Sequence, residues 1–251
     1  LVAGGRTLRT DAETDASIVA YHNSVEIYDK VTGKWSLGED MIESRWNSTA
    51  TLMKDGKVIL SGGEDSSGTL STSEIYDPVT GLWDATGSML NPRSGHTAVL
   101  LSDGKVMVVG GAGDKVETYD PQEGIWSAVS SLSQRMTRQG TVLMENGQII
   151  TAGGFGSTGP ISISELYDPD TRNWTRIPGM SVTRVGPSSI LLSNGNVLVV
   201  GGSRFAASDL YNPVVGEWIS SGNMIHGRKN QTATLLQDGR VLVAGGGRRD
   251  R

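Results

Sequence analysis

Cysteine is absent from the 251 residues. That excludes disulfides, thiol catalysis and thiolate metal sites. It leaves the compartment open, because a secreted chain of this size can fold without bridges. Proline (8) and phenylalanine (2) are scarce. No apolar run approaches the roughly 20 residues of a membrane helix, so no membrane span is expected. A basic excess is missing too: 22 Lys and Arg against 27 Asp and Glu leave a net charge of −5. Nucleic acid, which selects a positive field, is therefore not an expected partner. There is no Gly-x-Ser-x-Gly elbow and no zinc-protease helix motif.

What is abundant is glycine, with 34 residues and no collagen period. Alongside many short Val/Leu runs, this indicates an all-β chain with many turns. The glycines belong to an internal repeat. Paired glycines begin at Gly4, Gly62, Gly110, Gly153, Gly201 and Gly245. Tyr28, Tyr76, Tyr119, Tyr167 and Tyr211 each stand 7 residues before a tryptophan, at Trp35, Trp83, Trp126, Trp174 and Trp218. Asp-Gly or Asn-Gly turns begin at Asp55, Asp103, Asn146, Asn194 and Asp238, each 7 residues before the next glycine pair. Only the step from glycine pair to tyrosine varies, from 9 to 24 residues. Each unit therefore has a rigid frame and one adjustable loop.

Each unit reads as four short strands. Asp-Gly between apolar runs signals a hairpin, with both central residues able to take positive φ. Small residues such as Thr49-Ala50 and Thr97-Ala98 begin the first strand of each unit, and tryptophan lies on the fourth. Small residues inside and large ones outside suit sheets that converge on an axis. The expected fold is an all-β propeller of four-stranded blades, forming one domain over residues 1–251.

The segments Arg93-Ser94-Gly95-His96-Thr97-Ala98, Gly110-Gly111, Glu117-x-Tyr119-Asp120 and Trp126 resemble kelch repeats, in five copies over nearly the whole chain. Their Asp-Gly-Lys-Val flavour is similar to galactose-oxidase-like and bacterial secreted or surface kelch proteins. The resemblance implies an extracellular or cell-surface setting. The galactose-oxidase copper-radical cofactor needs a cross-linked cysteine and is excluded in that form, so no cofactor is expected.

The simplest ring has five blades, closed by N- and C-terminal strands sharing one blade; the alternative is part of a six- or seven-blade ring. Leu1–Gly5 repeats Leu242–Gly246 in kind, so one strand is surplus. Self-association through terminal strands is one outcome.

The connections between strands 2 and 3 and between consecutive units fall on one face. The longest, Arg6–Val25, is expected to be a recognition loop. Arg45, Arg93, Arg184 and Arg228 share one position before strand 1, with Met136 there in the third unit and Arg135 and Arg138 close by. A ring of guanidinium groups would suit a carboxylate or phosphate; the structural alternative is hydrogen bonding within the blades. Trp46, the one tryptophan outside the frame, and His22, His96 and His226 fall towards the same face. No local spacing of the histidines marks a metal site. The acidic stretch Asp11–Asp15 departs from a calcium loop at its glycine and last acidic positions. The function expected is a non-enzymatic binding or assembly module for a protein or carbohydrate partner. A small enzyme acting on a sugar, or a structural subunit of a fibre or surface layer, are the alternatives.

Overall fold

The computed structural model describes residues 1–10 and 17–247, and all regular structure in them is β. A first, three-stranded antiparallel sheet holds β1 (Val2–Thr10), β2 (Ser17–Asp29) and β3 (Lys34–Leu37). The second sheet begins with β4 (Thr49–Leu52) and β5 (Val58–Ser61). A small hairpin of β6 (Glu64–Asp65) and β7 (Gly68–Thr69) follows, and β8 (Ser73–Asp77) and β9 (Leu82–Thr86) complete the sheet. The third comprises β10 (Thr97–Leu100), β11 (Val106–Val109), β12 (Val116–Asp120) and β13 (Ile125–Val129). The fourth comprises β14 (Gly140–Leu143), β15 (Ile149–Ala152), β16 (Ser164–Asp168) and β17 (Asn173–Ile177). The fifth comprises β18 (Ser188–Leu191), β19 (Val197–Val200), β20 (Ala207–Asn212) and β21 (Glu217–Asn223). A sixth has two strands, β22 (Thr232–Leu235) and β23 (Val241–Ala244). All strand pairs in these sheets are antiparallel, and the first strands of consecutive sheets from the second to the sixth approach one another.

The Asp-Gly turns differ in detail from the expected two-residue hairpins. Only the glycine is left-handed, as at Gly104 (φ 92°). The Gly104 N–H donates to Leu101 O at 3.0 Å, and the Leu101 N–H to Lys105 O at 2.8 Å. This is a type I turn closed by a left-handed glycine, the three-residue hairpin loop.

Strand 2 forms the centre of each full sheet; all four residues of β11 are at 0% exposure. Alternate residues face opposite neighbours. Val106 and Val108 join Tyr119 and Trp126 against Met53 and Ile59 of the second sheet. Met107 and Val109 look the other way, into a cluster with Ile149 and Tyr167 of the fourth. Each repeat tyrosine pairs across strands with its tryptophan at 5.2–5.3 Å between ring centroids. That is the spacing of favourable tilted aromatic pairs.

The sheets are tied by a recurring backbone bond. The second glycine of each of the first five pairs donates its N–H to the carbonyl at the arginine position of the next unit. The bonds run from Gly5 to Arg45, Gly63 to Arg93, Gly111 to Met136, Gly154 to Arg184 and Gly202 to Arg228, at 2.7–2.9 Å. The first glycine allows this approach. A Cβ on Gly110 (φ 72°) would lie 2.5 Å from Met136 O.

The chain ends bring two findings. Beside β2 lies β1, while β22 and β23 pair only with each other. So Leu1–Gly5 holds the place considered for the C-terminal strand. What the sequence presented as a long loop, Arg6–Val25, is largely a hairpin extension paired through to Thr10↔Ser17. Trp35, whose place in the repeat frame predicts a core position, is 55% exposed and its partner Tyr28 48%, because no sheet of the described residues covers their face.

Glycine substitution tests this account. Gly56→Ala meets no neighbour within 4 Å and should lose only the left-handed preference, about 1 kcal/mol. Gly110→Ala should lose that and about 1–3 kcal/mol more from overpacking. Urea unfolding of both variants measures the difference, and equal losses would show that the close approach carries no weight.

Candidate functional site

The arginines of the expected rim are mostly interior. Arg45, Arg93 and Arg184 are 1%, 0% and 0% exposed. Each enters its own sheet and meets an acid on the third strand. Arg45 Nε donates to Glu74 Oε1 at 2.8 Å, Arg184 Nη2 donates to Asp209 Oδ2 at 2.7 Å, and Arg93 Nη2 donates to Glu117. Each Nη1 donates to the first carbonyl of the sheet's glycine pair: Gly62, Gly110 and Gly201, at 2.7–3.0 Å. The acids also accept backbone N–H groups, as Glu117 does from Leu90 at 2.7 Å. Burial pulls the Arg93 pKa down, and Glu117 opposes the shift. These guanidinium groups are thus committed inside the sheets.

Two units depart from the pattern. In the fourth sheet Met136 stands in the arginine position, so buried Glu165 accepts from Ser133 N (2.9 Å) and Oγ (2.7 Å) instead. Before the two-stranded sixth sheet, half-buried Arg228 donates to Gly245 O at 2.8 Å. No acid of the described residues pairs with it.

The histidines do not converge. His22 lies on β2 and contacts Thr7 Oγ1. His226 is exposed in the connection to β22. His96 is buried at 5%, with Nε2 2.8 Å from Thr49 Oγ1 and Nδ1 without a partner. Burial chiefly, and then Arg93, pushes its pKa down from 6.5 to about 3. Gln139 and Gln231 occupy the matched position in other units and donate to Val109 O and Val200 O. His96 is therefore a neutral spacer between sheets. Among the described residues no three His, Asp or Glu gather as a metal site. The stretch 11–16 lies outside the described residues.

What remains accessible is a depression of about 310 Å³ where the inter-unit connections meet. Asn47, Ser94 and Arg138 line it, with Glu64, Arg135 and Phe155. Asn47 Nδ2 donates to Ser94 Oγ at 2.7 Å, and Ser94 Oγ donates to Glu64 Oε1 at 3.0 Å. Arg135 and Arg138 are exposed, and no carboxylate of the described residues pairs with them. Trp46 lies beside this region, bridged to Glu64, with Arg6 stacked 3.6 Å from its ring centroid.

Arg138 is also strained. Its φ is 55°, where matched Gly95 and Gly186 have 64° and 65°. The position is fixed by a relay of backbone bonds. Arg138 N donates to Gly95 O at 2.7 Å, and Gly186 N donates to Arg138 O at 2.8 Å. A bulky cation held in a glycine conformation is a candidate for function. Sequence reasoning placed Arg135 and Arg138 beside the arginine set but missed Glu64 and Phe155. Comparing units position by position exposes Arg138 in a column that is otherwise Asn47, Gly95, Gly186 and Asn230; Glu64 and Phe155 follow glycine pairs, where loop length varies.

The chain shares its fold with a solved protein. The structure of YjhT superposes with a TM-score of 0.73 at 16% identity, covering 98% of this chain and 85% of that one. No family model and no curated protein matches.

Arg93→Ala should lose about 3–5 kcal/mol, the effect of stranding a buried carboxylate. Arg228→Ala should stay within about 0.5 kcal/mol. Equal effects in chemical denaturation would contradict the interior role. His96→Gln tests the buried ring by pH. Its folded pKa lies below the unfolded one, so its contribution is complete above pH 6.5 and is lost as pH falls towards 3. Relative to the glutamine variant, the parent chain should lose about 2 kcal/mol between pH 7 and pH 5. A constant difference would mean the ring is hydrated.

Proposed function

We propose that the chain is a kelch-type β-propeller that acts as a binding module, outside the cell or at its surface. Support for the propeller comes from the stepwise contact of first strands and the repeated bond from glycine N–H to the next unit's carbonyl. The binding role rests on one observation: Arg135 and Arg138 stand exposed at a depression, while Arg45, Arg93 and Arg184 of the repeat frame are buried and paired. Guanidinium groups, an amide, a hydroxyl and the half-exposed Phe155 ring suit a polar partner with an anionic group, on a protein or a carbohydrate. Arrays of glycans and peptides find the partner. Arg138→Gly, which installs the residue of two other units, should keep the fold and weaken binding about tenfold or more. Undiminished binding would remove this face from the role.

A second reading, assembly of copies through terminal strands, has its own support. Half-buried Arg228 lacks the acid that Arg45, Arg93 and Arg184 have among the described residues. Glu26 occupies the matched acid position on β2 and is exposed beside Tyr28 and Trp35. β23 of one copy taking the place of β1 in another would bring Arg228 to Glu26. Light scattering should then show mass rising with concentration, and Arg228→Glu should abolish the rise. A constant mass near 26.6 kDa in the parent chain would sink this reading.

A further inference from the structure

We propose that the gap between the third and fourth sheets binds a small molecule with an apolar body and one anionic group. The gap holds a cavity of about 520 Å³, within the ~300–1,000 Å³ range of small-ligand pockets. It opens beside the Asp103-Gly104 turn, at the other end of the strands from Arg138. The inference is therefore independent of the function proposed above.

The repeat supplies its own control. Four third strands carry a branched aliphatic residue between acid and tyrosine: Ile27, Ile75, Leu166 and Leu210. The third sheet carries Thr118. In the preceding gap, Ile75 packs on the cluster around Val106 and Tyr119. There Lys54 reaches across to donate to Ser102 O, and Thr86 Oγ1 meets the Tyr119 hydroxyl at 2.6 Å. The counterparts in the next gap are Thr118, Ser102 and Val129, and all three border the cavity. One is smaller, one is shorter and one has lost its hydroxyl. The same frame that closes one gap leaves the next open.

The walls are Met107, Val129, Leu143 and Ile149, which suit an apolar body. The mouth is marked by Arg172. It has φ 57°, where the other four units have Gly33, Gly81, Gly124 and Gly216 at 69–75°. A side chain is thus held where the rest of the repeat avoids one. Arg172 is exposed, and no carboxylate of the described residues pairs with it. Lys105, also at the cavity, is held by Asp120 at 2.7 Å. Arg172 is left as the guanidinium that can take an anion.

Titration of the full chain with anilinonaphthalene sulfonate, an apolar body carrying one anion, tests the site by fluorescence. One saturable site is expected. Thr118→Leu restores the residue type of the other units, so it should keep or raise the melting temperature while weakening the dye at least tenfold. Ser102→Lys, which closes the mouth as Lys54 does, should do the same. Arg172→Gly should leave the cavity but weaken binding about tenfold. Unchanged titration of both filling variants would place the dye elsewhere, on the Tyr28–Trp35 face for example, and overturn the site. Loss in the filling variants with none in Arg172→Gly would overturn the anion requirement.

Discussion

One bond organises this molecule: the N–H of the second glycine in each of the first five pairs donating to the carbonyl at the next unit's arginine position. It fixes where each sheet begins relative to the one before. The arginine then works in two directions. Its backbone carbonyl holds the preceding sheet, and its side chain enters its own sheet to meet the acid on strand 3 and the carbonyl of that sheet's first glycine. Desolvating a guanidinium and a carboxylate is unfavourable unless nearly every donor and lone pair is satisfied. Here backbone groups supply the additional hydrogen bonds. The pair therefore locks the connection between units in one conformation, and that rigidity carries the surface loops.

The frame was legible because its constraints are local and repeated. The glycine pair, the Asp-Gly turn and the Tyr–Trp spacing each act over a few residues, so a fixed count reveals them. Strand positions in the third sheet followed directly. Burial was less legible, because it depends on the neighbour. Arg45 and Arg228 occupy matched positions, yet one is at 1% exposure and the other is only half-buried, since among the described residues only one has a third strand in its sheet. Trp83 and Trp35 differ for the same reason: the first sheet covers one, and no described sheet covers the other. At Arg45, Arg93 and Arg184 the structural alternative to a ligand-binding guanidinium ring, hydrogen bonding within the sheets, is what forms. Position in a repeat gives direction, and its environment decides whether a charge meets water or a partner.

The departures from the repeat are where sequence could have said more. Met136 removes the cation from the fourth sheet, leaving Glu165 to a serine. Arg138 and Arg172 place long side chains in left-handed positions, the first given to glycine or asparagine in the other units and the second to glycine. Thr118 removes bulk from a position that is otherwise aliphatic. None stands out in composition or in a motif search. Each becomes visible when the units are aligned and every column is asked what its exception would do.

Such exceptions carry different weights. Strain at Arg138 and Arg172 opposes stability, since a glycine at either place would relieve it. Thr118 forgoes packing that Ile75 supplies one unit earlier. A repeat under selection for stability alone would drift towards the common residue at all three positions, because the better-packed solution already exists in the same chain. Retaining strain and a void together, in one gap and at one depression, is the expected pattern where binding competes with stability. The two arginines lie at opposite ends of the strands, so a rigid frame can carry both sites without either disturbing the bonds that hold the sheets in register.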